Sequence, residues 1–277
     1  MFNPEQVLLY QTFGYVVMRE VFSAGEIETM RREFDKAMER VADFVPTPGE
    51  STYAHSNLLG DATPFFASLT EDERLYGPAR QVMGEDTMMW EWKGYRYCQF
   101  KGTPWHANNG DPTYGRHLYG ARCQWPIFEQ VTADTGALRV IPGSHLPGFQ
   151  WQLGRAHAAG LLDPIADVGA VVCEAELGDV VTFDTRLYHS TAPHDTERRA
   201  ASSIYLHFPQ TREETAVTAQ VIPQDGEEWD HWPANKPDSP FRQQWEEQVK
   251  RLHEMYKSCG LRVARYDDGC TAEVVPA

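Results

Sequence analysis

The sequence has no apolar run of about 18 residues, which is the length that a membrane-spanning helix requires. Its start shows neither the basic segment nor the apolar stretch of a secretory signal, so we expect a cytoplasmic protein. The five cysteines are odd in number, widely spaced and without a C-x-x-C pair. This pattern argues against both a disulfide framework and a zinc site.

Basic residues are also in short supply, with 25 Lys and Arg against 40 Asp and Glu and a net charge of −15. Such a charge opposes binding to DNA or RNA, although a few local arginines still suffice to bind a small anion. Internal repeats and low-complexity segments are absent, while 42% hydrophobic residues supply enough material for a globular core. The composition therefore predicts a protein whose partner is a small molecule, with no nucleic-acid polymer and no membrane.

The first third of the chain favours helices. Ser23 and Glu26 have the spacing of a capping box, and apolar residues then recur at three- and four-residue steps. Another helix is predicted to follow Thr70 and to end near Gly84. Towards the end of the chain, Ser239 is a candidate N-cap for a helix over about residues 240–256.

From Thr87 onward the sequence changes to short β-rich runs separated by Gly, Pro and polar residues. The runs are 87–92, 95–100, 121–128, 137–141, 170–176, 179–183 and 200–208. Most have no helix between them, which disfavours a parallel sheet and favours a sandwich or jelly roll. We predict a mainly β protein with flanking helices and a single domain over 1–277, in which a helical part (1–85) precedes the β core (86–210) and a C-terminal helix and tail (211–277) follow.

Two histidines follow predicted strands, His106 after the strand that ends at residue 100 and His189 after the one that ends at residue 183. Imidazoles at separate strand ends of a jelly roll can converge on one cation, and nitrogen ligands suit iron, zinc, copper or nickel. Arg198 and Arg199 open the next strand, and a guanidinium pairs well with a carboxylate. Because side chains alternate along a strand, only one of the two arginines can point inward.

Several segments together resemble the phytanoyl-CoA dioxygenase family of the 2-oxoglutarate-dependent oxygenases. They are TGALRVIPGSH at 135–145, GDVVTFD at 178–184, LYH at 187–189 and RRA at 198–200, with FGYVV at 13–17 similar to the family's usual start. The likeness covers about residues 5–210. It implies a double-stranded β-helix, or cupin-like jelly roll, in an enzyme that uses Fe(II), 2-oxoglutarate and O₂ to functionalise an aliphatic C–H bond of a small molecule.

The resemblance also implies roles for individual residues. His106 and His189 are expected to bind iron, and Arg198 to bind the far carboxylate of 2-oxoglutarate, with Arg199 as the fallback. The expected lining of the cosubstrate pocket consists of Thr191, Trp125 and Met88.

The family's His-x-Asp motif supplies the aspartate that completes an iron ligand set of two histidines and one carboxylate. This sequence departs from the motif, because Asn108 takes the place of that aspartate. In the first interpretation the protein is a halogenase: a neutral residue leaves a coordination site to chloride, and the Asn108 amide donates a hydrogen bond to it. Known halogenases carry a smaller Gly or Ala at this position.

The second interpretation is hydroxylation or desaturation, with Asn108 itself or the nearby Asp111 as the third ligand. A third is a binding protein that has lost its metal and keeps the pocket. We place halogenation narrowly ahead of hydroxylation, and both ahead of the binding protein. Arg116, in the loop after His106, slightly favours an anionic substrate, although a solvated surface arginine is the more common case. His145 is expected to be structural and His194 to be exposed.

Overall fold

The computed structural model describes residues 1–45, 52–60, 62–98, 102–108, 110–111, 116–117, 119–162, 169–191, 193–194, 197–221, 242–265 and 272–276. The helices in these ranges are α1 (Pro4–Phe13), α2 (Ala24–Met38), α3 (Pro64–Ser68), α4 (Tyr76–Met83), α5 (Pro147–Ala158), α6 (Arg212–Val221) and α7 (Arg242–Ser258). The strands up to residue 126 are β1 (Tyr15–Met18), β2 (Thr52–Asn57), β3 (Thr87–Cys98), β4 (Thr103–His106), β5 (Gly110–Asp111), β6 (Arg116–His117) and β7 (Gly120–Pro126). The later strands are β8 (Leu138–Val140), β9 (Val171–Cys173), β10 (Val180–Asp184), β11 (His189–Thr191), β12 (Arg198–His207), β13 (Leu261–Arg265) and β14 (Ala272–Pro276).

Two antiparallel sheets pack face to face. The larger has the strand order β1-β10-β7-β12-β3-β2, and the smaller has the order β4-β11-β8-β9. Val181 and Phe183 of the larger sheet share an apolar cluster with Leu138, Val140 and Cys173 of the smaller one. Two sheets joined through one apolar layer form a jelly roll, as the strand pattern predicted.

The first helix begins and ends where local hydrogen bonding dictates. Asn3 and Gln6 form a capping box at the start of α1, and Gly14 at φ 85° ends the helix by donating its N–H to Tyr10. A side chain at Gly14 would also place its Cβ 2.6 Å from Nδ1 of His145. Only glycine suits this position, because both the backbone angle and the close approach exclude a Cβ.

Helix α2 confirms the predicted capping box. Oγ of Ser23 accepts a hydrogen bond from the Glu26 N–H, and the Glu26 carboxylate accepts one from the Ser23 N–H. The buried stripe of Ile27, Met30 and Phe34 packs onto the larger sheet in one cluster with Trp92 and Trp125. Helices therefore cover one face of this sheet.

The two strands predicted at 87–92 and 95–100 are one strand, β3, which continues through Gly94. The glycine does not end the strand. A Cβ at Gly94 would lie 2.8 Å from the Phe34 ring and 2.9 Å from the Met38 methyl group, so its absence lets α2 approach the sheet closely. Residues 99 and 100 lie outside the described part of the chain.

The sequence did not predict several short elements, above all β2, β4, β11 and α5. Strands of three or four residues, such as β11 and β4, contain too few alternations to be recognised. The helix predicted after Thr70 starts later than expected, since residues 69–71 form a 3₁₀ turn before α4.

The C-terminal helix α7 packs against the larger sheet. Leu252 and Tyr256 are buried with Trp90, and Arg251 binds the Asp86 carboxylate at 2.9 Å. Ser239 lies outside the described residues. Of the described helices, none is long and apolar enough to cross a membrane. The four described cysteines are free thiols.

Candidate metal centre and cosubstrate pocket

The two predicted metal ligands meet. Strands β4 and β11 are neighbours in the smaller sheet, and their register places His106 directly opposite His189. The two imidazole centroids are 4.2 Å apart and the ring planes are inclined by 52°. Two imidazoles that bind one ion through bonds of about 2.1 Å have centroids about 4.5–5.2 Å apart, so the rings need to separate by only a few tenths of an ångström to share a metal.

Each imidazole is oriented by a backbone carbonyl. Nδ1 of His106 lies 2.8 Å from the Pro104 oxygen, and Nδ1 of His189 lies 2.9 Å from the Leu187 oxygen. A ring nitrogen that faces a carbonyl carries the proton, so Nε2 of each ring keeps its lone pair for a metal.

Burial favours the same ligand form. It lowers the pKa of His106 and brings the pKa of His189 well below its ordinary value, where the neighbouring His106 lowers it further. Both imidazoles are therefore neutral at neutral pH, which is the protonation state that binds a metal.

Asn108 follows the first histidine by two residues and is held by its backbone N–H, which donates to the Thr185 carbonyl at 2.8 Å. Asn108 is 7% exposed, and its Nδ2 is buried and has no hydrogen-bond partner among the described residues. An unpaired buried amide costs about 1–3 kcal/mol, so this donor marks a place for an acceptor group. Within the described ranges, no set of three His, Cys, Asp or Glu side chains is arranged to hold a metal. The side chains of Asp111 and Arg116 lie outside the described residues.

Arg198 points inward and is 4% exposed. Its Nη1 donates to the Gly136 carbonyl, and its guanidinium lies 4.2 Å from the centre of the Tyr97 ring. Nε and Nη2 are buried and have no hydrogen-bond partner in the described structure. These two donors form one edge of the guanidinium, the geometry that binds a carboxylate through two parallel hydrogen bonds.

A narrow cavity of about 20 Å³ lies beside Arg198, lined by Gln124, Leu138 and Val181 among others. The Gly136 carbonyl accepts the hydrogen bond from Arg198. Gly136 has φ 82°, and a Cβ there would lie 2.3 Å from the His194 ring. His194 is 5% exposed, so the expectation that it is exposed was wrong. It is buried because it packs against this glycine of the predicted motif.

The fallback Arg199 faces the opposite side of the strand. It forms an ion pair with Glu129 and lies 3.6 Å from the centre of the Phe128 ring. Alternation along β12 thus separates the two arginines, as predicted, and leaves Arg198 as the inward one.

The three remaining predicted pocket residues lie in different places. The Thr191 hydroxyl accepts the Thr103 N–H at 3.0 Å, and the Thr103 hydroxyl accepts the Thr191 N–H at 2.8 Å. The Trp125 indole packs against Phe22 and Trp92 under the helices, and Trp125 is also among the residues that line the cavity beside Arg198. Met88 belongs to the separate cluster beneath helix α7.

The sequence analysis did not identify one charged residue near the site, Arg122. Nε of Arg122 donates to the Ser202 hydroxyl at 3.0 Å, and its guanidinium lies 5.6 Å from the centre of the Tyr95 ring. Its positive charge contributes to lowering the pKa of His106, His189 and Arg198, so it lies near all three. The available signal was a lone arginine between small buried residues in the middle of a predicted strand.

Comparisons with known proteins agree with this architecture. The chain is 25% identical over 157 residues to an ectoine dioxygenase of Sphingopyxis alaskensis, which is 52% of this chain and 50% of that protein. A second ectoine dioxygenase, from Halomonas elongata, is 24% identical over 158 residues, covering 52% of this chain and 46% of that protein. The chain thus matches about half the length of these curated relatives.

Solved structures show the same fold. HygX from Streptomyces hygroscopicus, with nickel and 2-oxoglutarate bound, has a TM-score of 0.58 at 22% identity over 74% of this chain and 87% of its own. EctD from S. alaskensis, with 2-oxoglutarate and 5-hydroxyectoine, has a TM-score of 0.57 at 18% identity over 75% of this chain and 77% of its own. The predicted cupin-like jelly roll is therefore confirmed.

The family profile described as phytanoyl-CoA dioxygenase (PhyH) matches residues 10–201. This family depends on Fe(II) and 2-oxoglutarate, which are the cofactors that the resemblance implied. Because the match spans more than half of the sequence, the chain belongs to the phytanoyl-CoA dioxygenase family.

Proposed function

We propose that this chain is an Fe(II)- and 2-oxoglutarate-dependent enzyme in which His106 and His189 hold the iron and Arg198 binds the far carboxylate of the cosubstrate. The observation that carries the proposal is the pair of opposed imidazoles, each with Nδ1 turned to a carbonyl and Nε2 left for a metal. The unpaired edge of the Arg198 guanidinium supports the second half of it, because a carboxylate satisfies both buried donors.

When bound, Fe(II) and 2-oxoglutarate would supply the electrons that activate O₂, the oxidant, for attack on an aliphatic C–H bond. The residues of the chain orient and enclose the reactants. The carbonyl-bound histidines keep their rings in the ligand tautomer, and Arg198 determines which end of the dicarboxylate faces inward. The names of the relatives favour a small-molecule substrate, since HygX has been solved with hygromycin B and EctD with 5-hydroxyectoine.

Halogenation is the reaction subtype that we favour. Asn108 removes an anionic ligand, and an exogenous halide at the iron restores the charge balance. The buried and unpaired Nδ2 of Asn108 is a donor suited to such an anion. A halide held there would supply the group that replaces the substrate hydrogen, once the O₂-derived oxidant has removed that hydrogen, where a hydroxylase would supply hydroxyl.

Hydroxylation is the second candidate, and it is favoured by the curated relatives, both of which are dioxygenases. In this case Oδ1 of Asn108 or the carboxylate of Asp111 is the third ligand. A protein that binds a small molecule without metal is a third outcome and keeps the pocket alone.

The test of the metal site is anaerobic titration of the full chain with Fe(II) and 2-oxoglutarate. We expect a weak visible charge-transfer band, and its loss in His189→Ala and in Arg198→Gln at low cosubstrate concentration. If the wild-type chain shows no band, the enzyme proposal is wrong and the metal-free binding protein takes its place.

The test of the subtype adds chloride, with sulfate as the control for ionic strength. Halide ligation predicts that chloride shifts the band, that Asn108→Gly keeps this shift and that Asn108→Asp abolishes it. No chloride response, together with iron loss in Asn108→Gly or in Asp111→Ala, identifies the hydroxylase and names its third ligand.

A further inference from the structure

The inner face of the larger sheet carries charge beside the proposed metal centre. Glu91, Lys93 and Tyr95 occupy every second position of β3, so their side chains share one face of the sheet. The Glu91 carboxylate lies 3.0 Å from Nζ of Lys93 and 2.9 Å from the Tyr95 hydroxyl, and these two partners help to hold its pKa low despite burial. This buried carboxylate is thus already paired with a cation of its own.

Arg122 and Glu91 lie at the same position along the strand direction of the sheet. In the pairing of strands, Ile204 of β12 has Arg122 on one side and Glu91 on the other. Among the described residues no carboxylate lies within ion-pair distance of Arg122, because Glu91 is held by Lys93 and Tyr95. Although burial opposes it, the nearby Tyr95 and Glu91 raise the pKa of the Arg122 guanidinium, but Glu91 is one carboxylate beside two cations, Lys93 and Arg122. This group keeps one positive charge in excess, which an anionic partner compensates.

The position of Arg122 relative to the histidines identifies where that anion would lie. Arg122 is paired in register with Phe183, and the Phe183 ring is 4.9 Å from the His189 ring. Arg198 lies on β12 six residues before Ile204, the residue that is paired with Arg122. The backbone of Arg122 is therefore further along the sheet than that of Arg198, on the side where Phe183 meets His189.

The two guanidinium groups lie against successive rings, Arg198 at Tyr97 and Arg122 at Tyr95. These rings are stacked with centroids 5.6 Å apart. The aromatic faces hold both cations in place, as cation–π contacts do. The Nε–Nη2 edge of Arg198 is assigned to the cosubstrate, so Arg122 is the cation left for the second reactant.

We propose that Arg122 binds an oxyanion of the primary substrate, a carboxylate or a phosphate, and so restricts this enzyme to anionic small molecules. The inference rests on the proposed function for the identity of the pocket, and on the charge arrangement around Arg122 for its specificity. A guanidinium near the two histidines orients such a substrate through a charge-assisted hydrogen bond, which neutral analogues lack.

The experiment uses butyrate as the probe and butyramide as its neutral isostere. Each is titrated into the full chain loaded anaerobically with Fe(II) and 2-oxoglutarate, and the shift of the charge-transfer band is measured. We expect butyrate to bind at least about tenfold more tightly than butyramide, the discrimination typical of a charged hydrogen bond. This comparison needs no substitution and is independent of how well any variant folds.

Arg122→Gln should remove the preference for butyrate and leave the 2-oxoglutarate affinity within about twofold, whereas Arg122→Lys should keep part of the preference. Arg199→Gln is the matched control, because Arg199 faces outward and pairs with Glu129. Equal affinities for butyrate and butyramide in the wild-type chain overturn the proposal. A 2-oxoglutarate affinity that falls with the butyrate affinity also overturns it, since Arg122 then serves the cosubstrate.

Failure of the proposed function gives a different result. Tryptophan fluorescence of the metal-free chain measures butyrate binding without iron. If no charge-transfer band forms but butyrate still binds in an Arg122-dependent way, the enzyme proposal fails and the anion site stands.

Discussion

The two faces of the larger sheet are built from the same strands but have opposite chemistry. On the face under the helices, Met89, Trp92, Cys123 and Trp125 belong to one apolar cluster. The inner face has apolar residues such as Val181 and Phe183, but at its centre it also has charged or polar ones, namely Glu91, Lys93, Arg122 and Ser202. The helix-covered face provides stability to the fold, whereas the inner face has the buried charges of the proposed pocket, which cost stability.

Because the two faces differ in this way, a residue near the site should be interpreted according to the face on which it lies. Large buried aromatics occur on both faces, since Trp92 and Trp125 contact each other in the helix-covered core and Tyr95 and Tyr97 lie on the inner face against the arginines. A buried charge on the same strands has no partner in that core and must face the pocket or an opposite charge. Substitutions on the two faces should therefore be separable by what they change.

The largest expected effect is on the helix-covered face. Trp125→Ala should lower the free energy of unfolding by about 3–5 kcal/mol, because it removes a fully buried indole and leaves a cavity. Urea denaturation measures this loss. Trp151→Ala, at a side chain that is 54% exposed, is the control and should change stability little. A loss below about 1 kcal/mol in Trp125→Ala would contradict its place in the core.

Arg198→Gln is the corresponding test on the inner face. We expect the dissociation constant for 2-oxoglutarate to rise about 100-fold, or about 2.7 kcal/mol, because two charge-assisted hydrogen bonds are lost. Stability should hardly fall, since the substitution also removes a buried charge. Isothermal titration measures the affinity, and Arg199→Gln should match the wild-type chain. A stability loss without an affinity loss would place Arg198 with the structural residues.

Thr191→Val tests whether this predicted pocket residue acts mainly through the contact between β4 and β11. The valine leaves the Thr103 N–H without its acceptor, so we expect a loss of about 1–2 kcal/mol in the free energy of unfolding. Thr191→Ser keeps the hydroxyl and should recover most of it. If 2-oxoglutarate affinity falls as far as in Arg198→Gln while stability is kept, the hydroxyl serves the cosubstrate instead.

The smallest effect concerns a surface feature that is unrelated to the site. Hydrogen bonds from Arg74 and Ser23 lower the pKa of Glu26 from 4.5 to about 2. A lowered folded-state pKa stabilises the protein above pH 4.5, and this contribution disappears as the pH falls through about 2. Glu26→Gln should therefore cost about 1 kcal/mol at pH 7, after allowance for solvent screening, and almost nothing near pH 2. A cost that does not depend on pH would refute the electrostatic origin.

The sequence by itself was sufficient wherever a local signal carried the information. The capping box at Ser23 and Glu26 involves atoms three residues apart, so its hydrogen bonds follow from sequence spacing. Alternation also sufficed to send Arg198 and Arg199 to opposite faces of β12. The two histidines were identified by their motif context, which names the strand ends but contains no distance.

Features that depend on residues distant in sequence could be seen in the tertiary structure alone. Gly94 lies inside a strand because helix α2, about sixty residues earlier, needs the space of its missing Cβ. Trp125 faces the helices, and Arg122 faces the histidines, because the register of three strands orients β7 as a whole. Periodicity determines which residues share a face, but the contacts between sheets and helices decide which face becomes the core and which becomes the pocket.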